Sequence, residues 1–224
     1  MNTNIRTLLP NGLAGIIYDC DGVMINSRAA NSLFYNRVLA YFHLPPMTKE
    51  QEFYSFMATG MQALESILPK ELHAAIPYVV THEVVYQRDI VPLLQLMPHF
   101  RDFVEEMHAL GLKQAMCTNR TAQGFEDVLT FFTFPRLFDP IITVSIAEPK
   151  PSSEGTKMIL HAWQEAPSRV LFVGDSSHDK EAATGAHVPF VAFNALDCEG
   201  DLTLTSYEEL RTCLRPLFLQ HGVA

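Results

Sequence analysis

The feature that most constrains this chain is a recurrence. Short apolar runs, Ala14–Tyr18, Lys113–Cys117, Pro140–Val144, Val170–Val173 and Phe190–Phe193, are each followed by a stretch of helical periodicity. Strands with one wet face alternate polar and apolar residues, whereas strands apolar on both faces need cover on both sides. The covering helices are readable. Phe103, Met107 and Leu110 fall on one face of 100–110, and Phe125, Val128, Leu129 and Phe132 on one face of 122–132. Further helical stretches cover 154–163, 178–184 and 207–217. Strands alternating with helices predict an α/β fold, a doubly wound parallel sheet.

One interval breaks the alternation. Connections in α/β units run to about 2–6 residues or a single helix, yet the first two strands are separated by a far longer segment. That segment reads as helical. Phe34, Val38, Leu39 and Phe42 share a face of 30–42, and helical stretches at 50–57, 61–68 and 71–86 follow, punctuated by Pro45, Pro46 and Pro69. The expectation is a helical domain at 26–96 inserted into an α/β core made of 1–25 and 97–224.

Composition narrows the function. A net charge of −9 over 224 residues gives no basic face for general nucleic-acid binding, although a local cation can reverse the sign of a pocket. Cys20, Cys117, Cys198 and Cys213 show neither CxxC nor zinc-ligand spacing. Free thiols in a reducing compartment are expected. The N-terminal MNTNIRTLLPNG lacks the apolar core of a signal peptide, and no run approaches the roughly 20 apolar residues of a membrane span. A cytoplasmic protein, with no membrane and no nucleic-acid partner, is the expectation; oligomeric state is not readable.

In open α/β sheets ligands bind beyond the carboxyl ends of the strands. The first strand, GIIY, runs into Asp19-Cys20-Asp21-Gly22. The two aspartates lie on one side of an extended chain, and two carboxylates about 4 Å apart repel by about 4 kcal/mol at an effective dielectric of 20. A shared proton, a basic residue or a metal ion must offset this. The second strand ends in Thr118-Asn119-Arg120, the fourth in Gly174-Asp175-Ser176-Ser177-His178-Asp179, and Glu148-Pro149-Lys150-Pro151 comes between them. Each segment alone could be a turn, a helix cap or a solvated lysine. Together they put a nucleophile, a hydroxyl, an ammonium and several carboxylates at one rim.

These four segments, in this order, resemble the motifs of the haloacid dehalogenase-like superfamily. DCDGV resembles its DxDGT/V motif, Thr118 after QAMC its second motif, Lys150 in EPKP its third and GDSSHD its GDSxxD motif. The resemblance covers nearly the whole chain, and the insertion right after the first motif resembles the helical-cap subfamilies related to phosphoglycolate phosphatase.

The resemblance implies a Rossmann-like core with a helical cap, and a Mg²⁺-dependent phosphatase acting on a small phosphorylated metabolite. It implies Asp19 as the nucleophile that forms an aspartyl-phosphate, Asp21 as general acid and then general base, and Asp19, Asp175 and the backbone carbonyl of Asp21 as metal ligands. Asp179 would hold metal-bound water or orient Lys150. Thr118, Asn119 and Lys150 would hold phosphoryl oxygens, and Gly22 would let the backbone come close to the phosphate. In the cap, Thr59 and Gly60 are candidates for substrate contact. Arg28 and Arg120 would either bind an anionic substrate tail or form ordinary salt bridges. His178 reads as a first-turn helix residue near the site rim.

Other chemistry on this core is weighed by single residues. Similar dehalogenases and phosphonate-cleaving relatives lack a second Asp, which Asp21 supplies. Similar sugar-phosphate mutases tend to carry a His ten residues beyond it, where this chain has Asn31. A silent binding or regulatory protein would be expected to have lost Asp19, Asp21, Lys150 or Asp175. The mutase and the silent protein stand as alternatives. Asn26, where the family often has Asp, and KPSS in place of KPxP are departures that leave these groups in place.

Overall fold

The protein is described by a computed structural model covering residues 5–218. The outermost positions of the core assigned above, 1–4 and 219–224, lie outside the described residues. Strands in chain order are β1 (Gly15–Tyr18), β2 (Ile25–Asn26), β3 (Gln95–Leu96), β4 (Lys113–Thr118), β5 (Ile141–Thr143), β6 (Val170–Gly174), β7 (Phe190–Phe193) and β8 (Leu202–Leu204). Six of them form one sheet of order β5-β4-β1-β6-β7-β8, parallel at every pairing. The five apolar runs are all strands of this sheet. The edge strand β8, which alternates buried, exposed and buried, was not expected.

Alternation along the central strands divides the apolar side chains between two layers. Ile16, Tyr18, Met116, Leu171, Val173, Val191 and Phe193 belong to one core cluster. Ile17, Ala115, Cys117, Phe172, Phe190 and Ala192 belong to the other. The helix Phe100–Ala109 buries Phe100, Phe103, Val104 and Met107, an i, i+3, i+4, i+7 stripe. Tyr18 packs edge-on against Phe100 and Phe103. Its buried hydroxyl donates to Gln114 Oε1 at 2.9 Å, and Gln114 Nε2 donates to the Val104 carbonyl at 3.0 Å, so no polar group of this trio is stranded. Of the phenylalanines after the helical stretch at 122–132, Phe134 and Phe138 belong to this core, whereas Phe131, within that stretch, is exposed.

Between β2 and β3 the chain is helical. Arg28–Tyr41, Lys49–Met57 and Gly60–Ile67 are α-helices, and the second and third each begin with a reciprocal capping box, Thr48 with Gln51 and Thr59 with Gln62. The expected helix over 71–86 is instead a series of short turns: a 3₁₀ segment at Lys70–Ala75, one helical turn at Ile76–Tyr78, a π segment at Val79–Glu83 and a separate turn at Tyr86–Asp89. Pro77 lacks an amide hydrogen and the β-branched Val79, Val80, Thr81, Val84 and Val85 resist a regular helix. The two crossings to this segment are tied together, because β2 and β3 pair antiparallel, Ile25 with Leu96 and Asn26 with Gln95.

Candidate active site

Strand register brings the site together. Tyr18 lies beside Met116 on one flank and Val173 on the other. Asp19 comes one residue beyond this row and Thr118 and Asp175 two, so all three arrive at the same rim, and the Asp19 amide extends the pairing by donating to the Val173 carbonyl at 3.0 Å. β4 and β5 extend the sheet on one side of β1 and the chain then crosses back to β6 on the other, so the strand order reverses between β1 and β6, the place where open α/β sheets form their crevice. After Asp21 the chain turns sharply through Gly22, whose φ of +76° suits glycine. A methyl group on Gly22 would lie 1.9 Å from Asp175 Oδ2, so this turn is packed directly against the second motif-bearing carboxylate.

At the floor of the crevice Lys150 Nζ lies 2.6 Å from Asp19 Oδ1 and 2.5 Å from Asp179 Oδ1, with all three side chains buried. The other oxygen of Asp179 accepts from Ser176 Oγ at 2.6 Å and from the amides of Ser176 and Asp175 at 3.2 Å, which caps the helix Ser177–Thr184. Burial disfavours the charge of Lys150, but Asp179 and Asp19 more than offset this and hold it protonated. Burial pushes the Asp19 carboxyl up, opposed by Lys150 and reinforced by the neighbouring aspartates. Burial, with Asp179, raises Asp175 to about 7 against the pull of Arg28.

Asp19, Asp175 and Asp179 offer carboxylate oxygens that all lie within 4.8 Å of one another. Three carboxylates share one lysine and, at Asp175, one arginine, Arg28 at 3.1 Å. That excess of negative oxygen suits a hard cation such as Mg²⁺. Asp179 is already fully engaged as a cap and lysine partner, which leaves Asp19 and Asp175 as the better donors.

Asp21 turns the other way. Arg120 binds it bidentately, Nε to Oδ2 at 2.7 Å and Nη2 to Oδ1 at 2.8 Å. Ser27 Oγ makes a short hydrogen bond to the same Oδ1, which also accepts from Asn31 Nδ2 at 3.3 Å. Burial alone would raise the Asp21 carboxyl, but the Arg120 charge and these donors bring it below the ordinary range. Arg120 is held in turn by the Tyr86 hydroxyl, which accepts from Nη2 at 3.0 Å and donates to Asn31 Oδ1 at 2.5 Å. Thr118 is buried, with Oγ1 accepting from the Arg120 amide at 3.1 Å. Asn119 fixes the lysine loop: its Oδ1 accepts from the Lys150 amide at 2.8 Å and its Nδ2 donates to the Lys150 carbonyl at 3.0 Å.

The helical segment closes over this rim. Asn119 Nδ2 reaches the Met57 carbonyl at 3.2 Å, His178 Nδ1 lies 3.1 Å from the same oxygen, and Arg28 stacks on Phe56 at 5.0 Å. Beneath it is a cavity of about 730 Å³, on whose wall Thr59, Gly60 and His178 lie with Asp19, Asp21, Thr118, Asn119, Arg120, Lys150 and Asp175. Thr59 Oγ1 is engaged as a helix cap, 3.2 Å from the Gln62 amide. Sequence reading missed Ser27 and Tyr86 as site residues and used Asn31 only to weigh the mutase. Ser27 and Asn31 bracket one helical turn just after the aspartates, a signal that was available; Tyr86 had none.

An aspartate pair at the end of a central strand of a parallel sheet, a buried lysine and an adjoining acidic cluster that could hold a metal ion mark the site of an α/β enzyme. The sequence profile described as haloacid dehalogenase-like hydrolase matches residues 16–193, and the chain belongs to that family, as a phosphatase-type member. It is 26% identical over 188 residues to a phosphoglycolate phosphatase of Cereibacter sphaeroides, covering 81% of this chain and 85% of that one. The crystal structure of a haloacid dehalogenase-superfamily hydrolase, subfamily IA, from Geobacter sulfurreducens superposes with a TM-score of 0.72 at 28% identity, covering 91% of this chain and 97% of that one. A predicted phosphoglycolate phosphatase of Haemophilus somnus shares the fold, with a TM-score of 0.77 at 21% identity over 89% of this chain and 97% of that one.

Proposed function

We propose that the protein is a Mg²⁺-dependent phosphomonoester hydrolase that works through an aspartyl-phosphate on Asp19. The observation that carries this reading is the Lys150 ammonium set between Asp19 and Asp179 at 2.6 and 2.5 Å, beside Asp175. A carboxylate is a weak nucleophile and a phosphate ester is an anion, so the two need positive charge between them. Lys150 supplies part of it. Mg²⁺ bound by Asp19, Asp175 and the backbone of Asp21 would supply the rest by neutralising and aligning the reacting oxygens.

In this reading Asp19 attacks phosphorus and Asp21 gives its proton to the departing alcohol oxygen. Asp21 then takes a proton from the water that cleaves the acyl phosphate, returning Asp19 and releasing inorganic phosphate. Gly22, Thr118 and Asn119 border the phosphoryl pocket, Asp179 orients Lys150, and residues 26–96 act as a cap that excludes water. The substrate is a small phosphorylated metabolite. Among the described residues no helix is long and apolar enough to cross a membrane, and all four cysteines are free, which supports placement in the cytoplasm.

The test is phosphate release with Mg²⁺ from a panel of phosphate monoesters by wild type and Asp19→Asn. Activity that vanishes in the variant and on chelation is expected. Wild-type turnover by Asp19→Asn would remove the nucleophile assignment.

A further inference from the structure

We infer that the alcohol half of the substrate is uncharged and carries an aromatic or comparably bulky apolar body. The inference rests on the phosphatase reading above, in that the phosphoryl group is taken to sit at Asp19 and Lys150. What remains of the cavity is then the region facing the helical segment. Its volume, about 730 Å³ in all, lies in the range of roughly 300–1,000 Å³ that encloses ligands of drug size. A phosphoryl group with two carbons attached would leave most of it unfilled.

The chemistry of the wall says what fills it. Phe34, Phe56, Met61, Leu64, Val80 and Tyr86 all face this space. Met61 is 47% exposed on this wall, an apolar side chain that a ligand in the cavity would cover. Among the described residues, the lysine and arginine on the cavity wall are Lys150 and Arg120. Lys150 is held by Asp19 and Asp179, and Arg120 is held at both ends of its fork by Asp21. His178, also on the wall, directs Nδ1 at the Met57 carbonyl. Arg28 is bound to Asp175 and covered by Phe56. At the outer rim Asp127 accepts from Gln87 and Gln123, so this edge is polar but not basic.

A second anion on the substrate would thus be desolvated against aromatic and aliphatic side chains with, among the described residues of the wall, no uncommitted cation to offset the penalty. An apolar body there gains by burial instead. The cavity therefore departs from what phosphoglycolate, with its carboxylate, would require.

The experiment uses phosphate esters of unactivated primary alcohols, so that leaving-group chemistry is matched: ethyl, butyl, hexyl and 3-phenylpropyl phosphate, with phosphoglycolate as the anionic comparison. Wild-type kcat/KM with Mg²⁺ should rise along the apolar series, by up to about fourfold per methylene buried, and phosphoglycolate should be the poorest. Independently of turnover, calorimetry on the Asp19→Asn protein should show 3-phenylpropyl phosphate binding at least about tenfold tighter than phosphoglycolate. Met61→Ala should reduce the 3-phenylpropyl over ethyl ratio of kcat/KM, and Met61→Lys should shift preference toward phosphoglycolate. Phosphoglycolate equalling or exceeding 3-phenylpropyl phosphate in kcat/KM, or in affinity for Asp19→Asn, overturns the inference while leaving the phosphatase reading intact. Absence of phosphate release from every ester defeats the phosphatase reading, and the binding order then decides the inference alone.

Discussion

Arg120 grips Asp21 fork to fork, with Nε 2.7 Å from one carboxylate oxygen and Nη2 2.8 Å from the other. Planar bidentate pairs of this kind are among the strongest side-chain contacts. The consequence is a carboxyl held below its usual range, which favours the step in which Asp21 takes a proton from water, while the preceding acid step draws on its protonated fraction. Removing the guanidinium raises the Asp21 carboxyl, so its ionised form is lost at a higher pH. Arg120→Ala is expected to move the acidic limb of the kcat profile upward in pH and to lower kcat by about 10²-fold, the lower end of what a positioned acid–base group contributes. Arg120→Lys keeps the charge without the fork and should fall between. An unmoved acidic limb in Arg120→Ala would separate Arg120 from the protonation of Asp21.

Asp21→Asn tests the same group directly. The amide keeps the shape and the backbone carbonyl but cannot take a proton from water. Phosphate release should slow by about 10²–10⁴-fold, with phosphorylated protein accumulating under rapid quench and Mg²⁺ affinity retained in titration. Loss of Mg²⁺ binding would show that the side chain, not the backbone, is needed for the metal.

Much of this arrangement was legible in the sequence because strand ends in a parallel sheet fall at one rim. Given β1, β4 and β6 from their apolar runs, Asp19, Thr118 and Asp175 had to converge, whatever the loops did. The Arg120–Asp21 pairing joins residues 99 positions apart, and a DxD followed by a distant TNR does not say which carboxylate the arginine will choose. The strand β8 and the two-residue ribbon of β2 and β3 escaped notice for another reason. They are too short to show a period, and their pairing is set by neighbours rather than by their own residues. The irregular turns of 70–89 are a third case, where helical spacing of apolar residues is present but Pro77 and the β-branched residues around it prevent a continuous helix.

Lys150 neutralises two buried carboxylates at once, so Lys150→Met leaves Asp19 and Asp179 facing each other without a cation. Breaking a buried pair typically costs about 3–5 kcal/mol, which at roughly 2–4 °C per kcal/mol for a chain of this size corresponds to a fall in Tm of roughly 6–20 °C. Mg²⁺ at the same acidic cluster should restore part of that loss, more than it stabilises wild type. Thermal unfolding of both proteins with Mg²⁺ and with chelator measures it.

Gly22 makes a separate demand. Its φ of +76° costs an L-residue about 1–2 kcal/mol, and the added methyl would overlap Asp175 Oδ2 at 1.9 Å. Gly22→Ala is therefore expected to weaken Mg²⁺ binding by displacing Asp175, in addition to its backbone cost. A variant that loses stability but titrates Mg²⁺ like wild type would show that the turn, not the carboxylate, had yielded.

Asp175 links the cation to pH. Burial and Asp179 raise it to about 7 in the folded, cation-free protein, whereas an unfolded aspartate titrates near about 3.9. Between these values the folded state binds the proton that the unfolded state has lost, so this group makes stability fall as pH rises from about 4 to about 7. A cation that binds the ionised form reverses the balance, because it competes with the proton and offsets the charge that burial disfavours. Mg²⁺ affinity should accordingly fall as pH drops through about 7, by up to about tenfold for each unit below it. The stabilisation by Mg²⁺ should be larger at pH 8 than at pH 6. Asp175→Asn should flatten both dependences and weaken binding at every pH. Titration calorimetry and thermal unfolding at the two pH values give the result, and a Mg²⁺ affinity equal at pH 6 and pH 8 would mean that Asp175 is not among the groups the metal deprotonates.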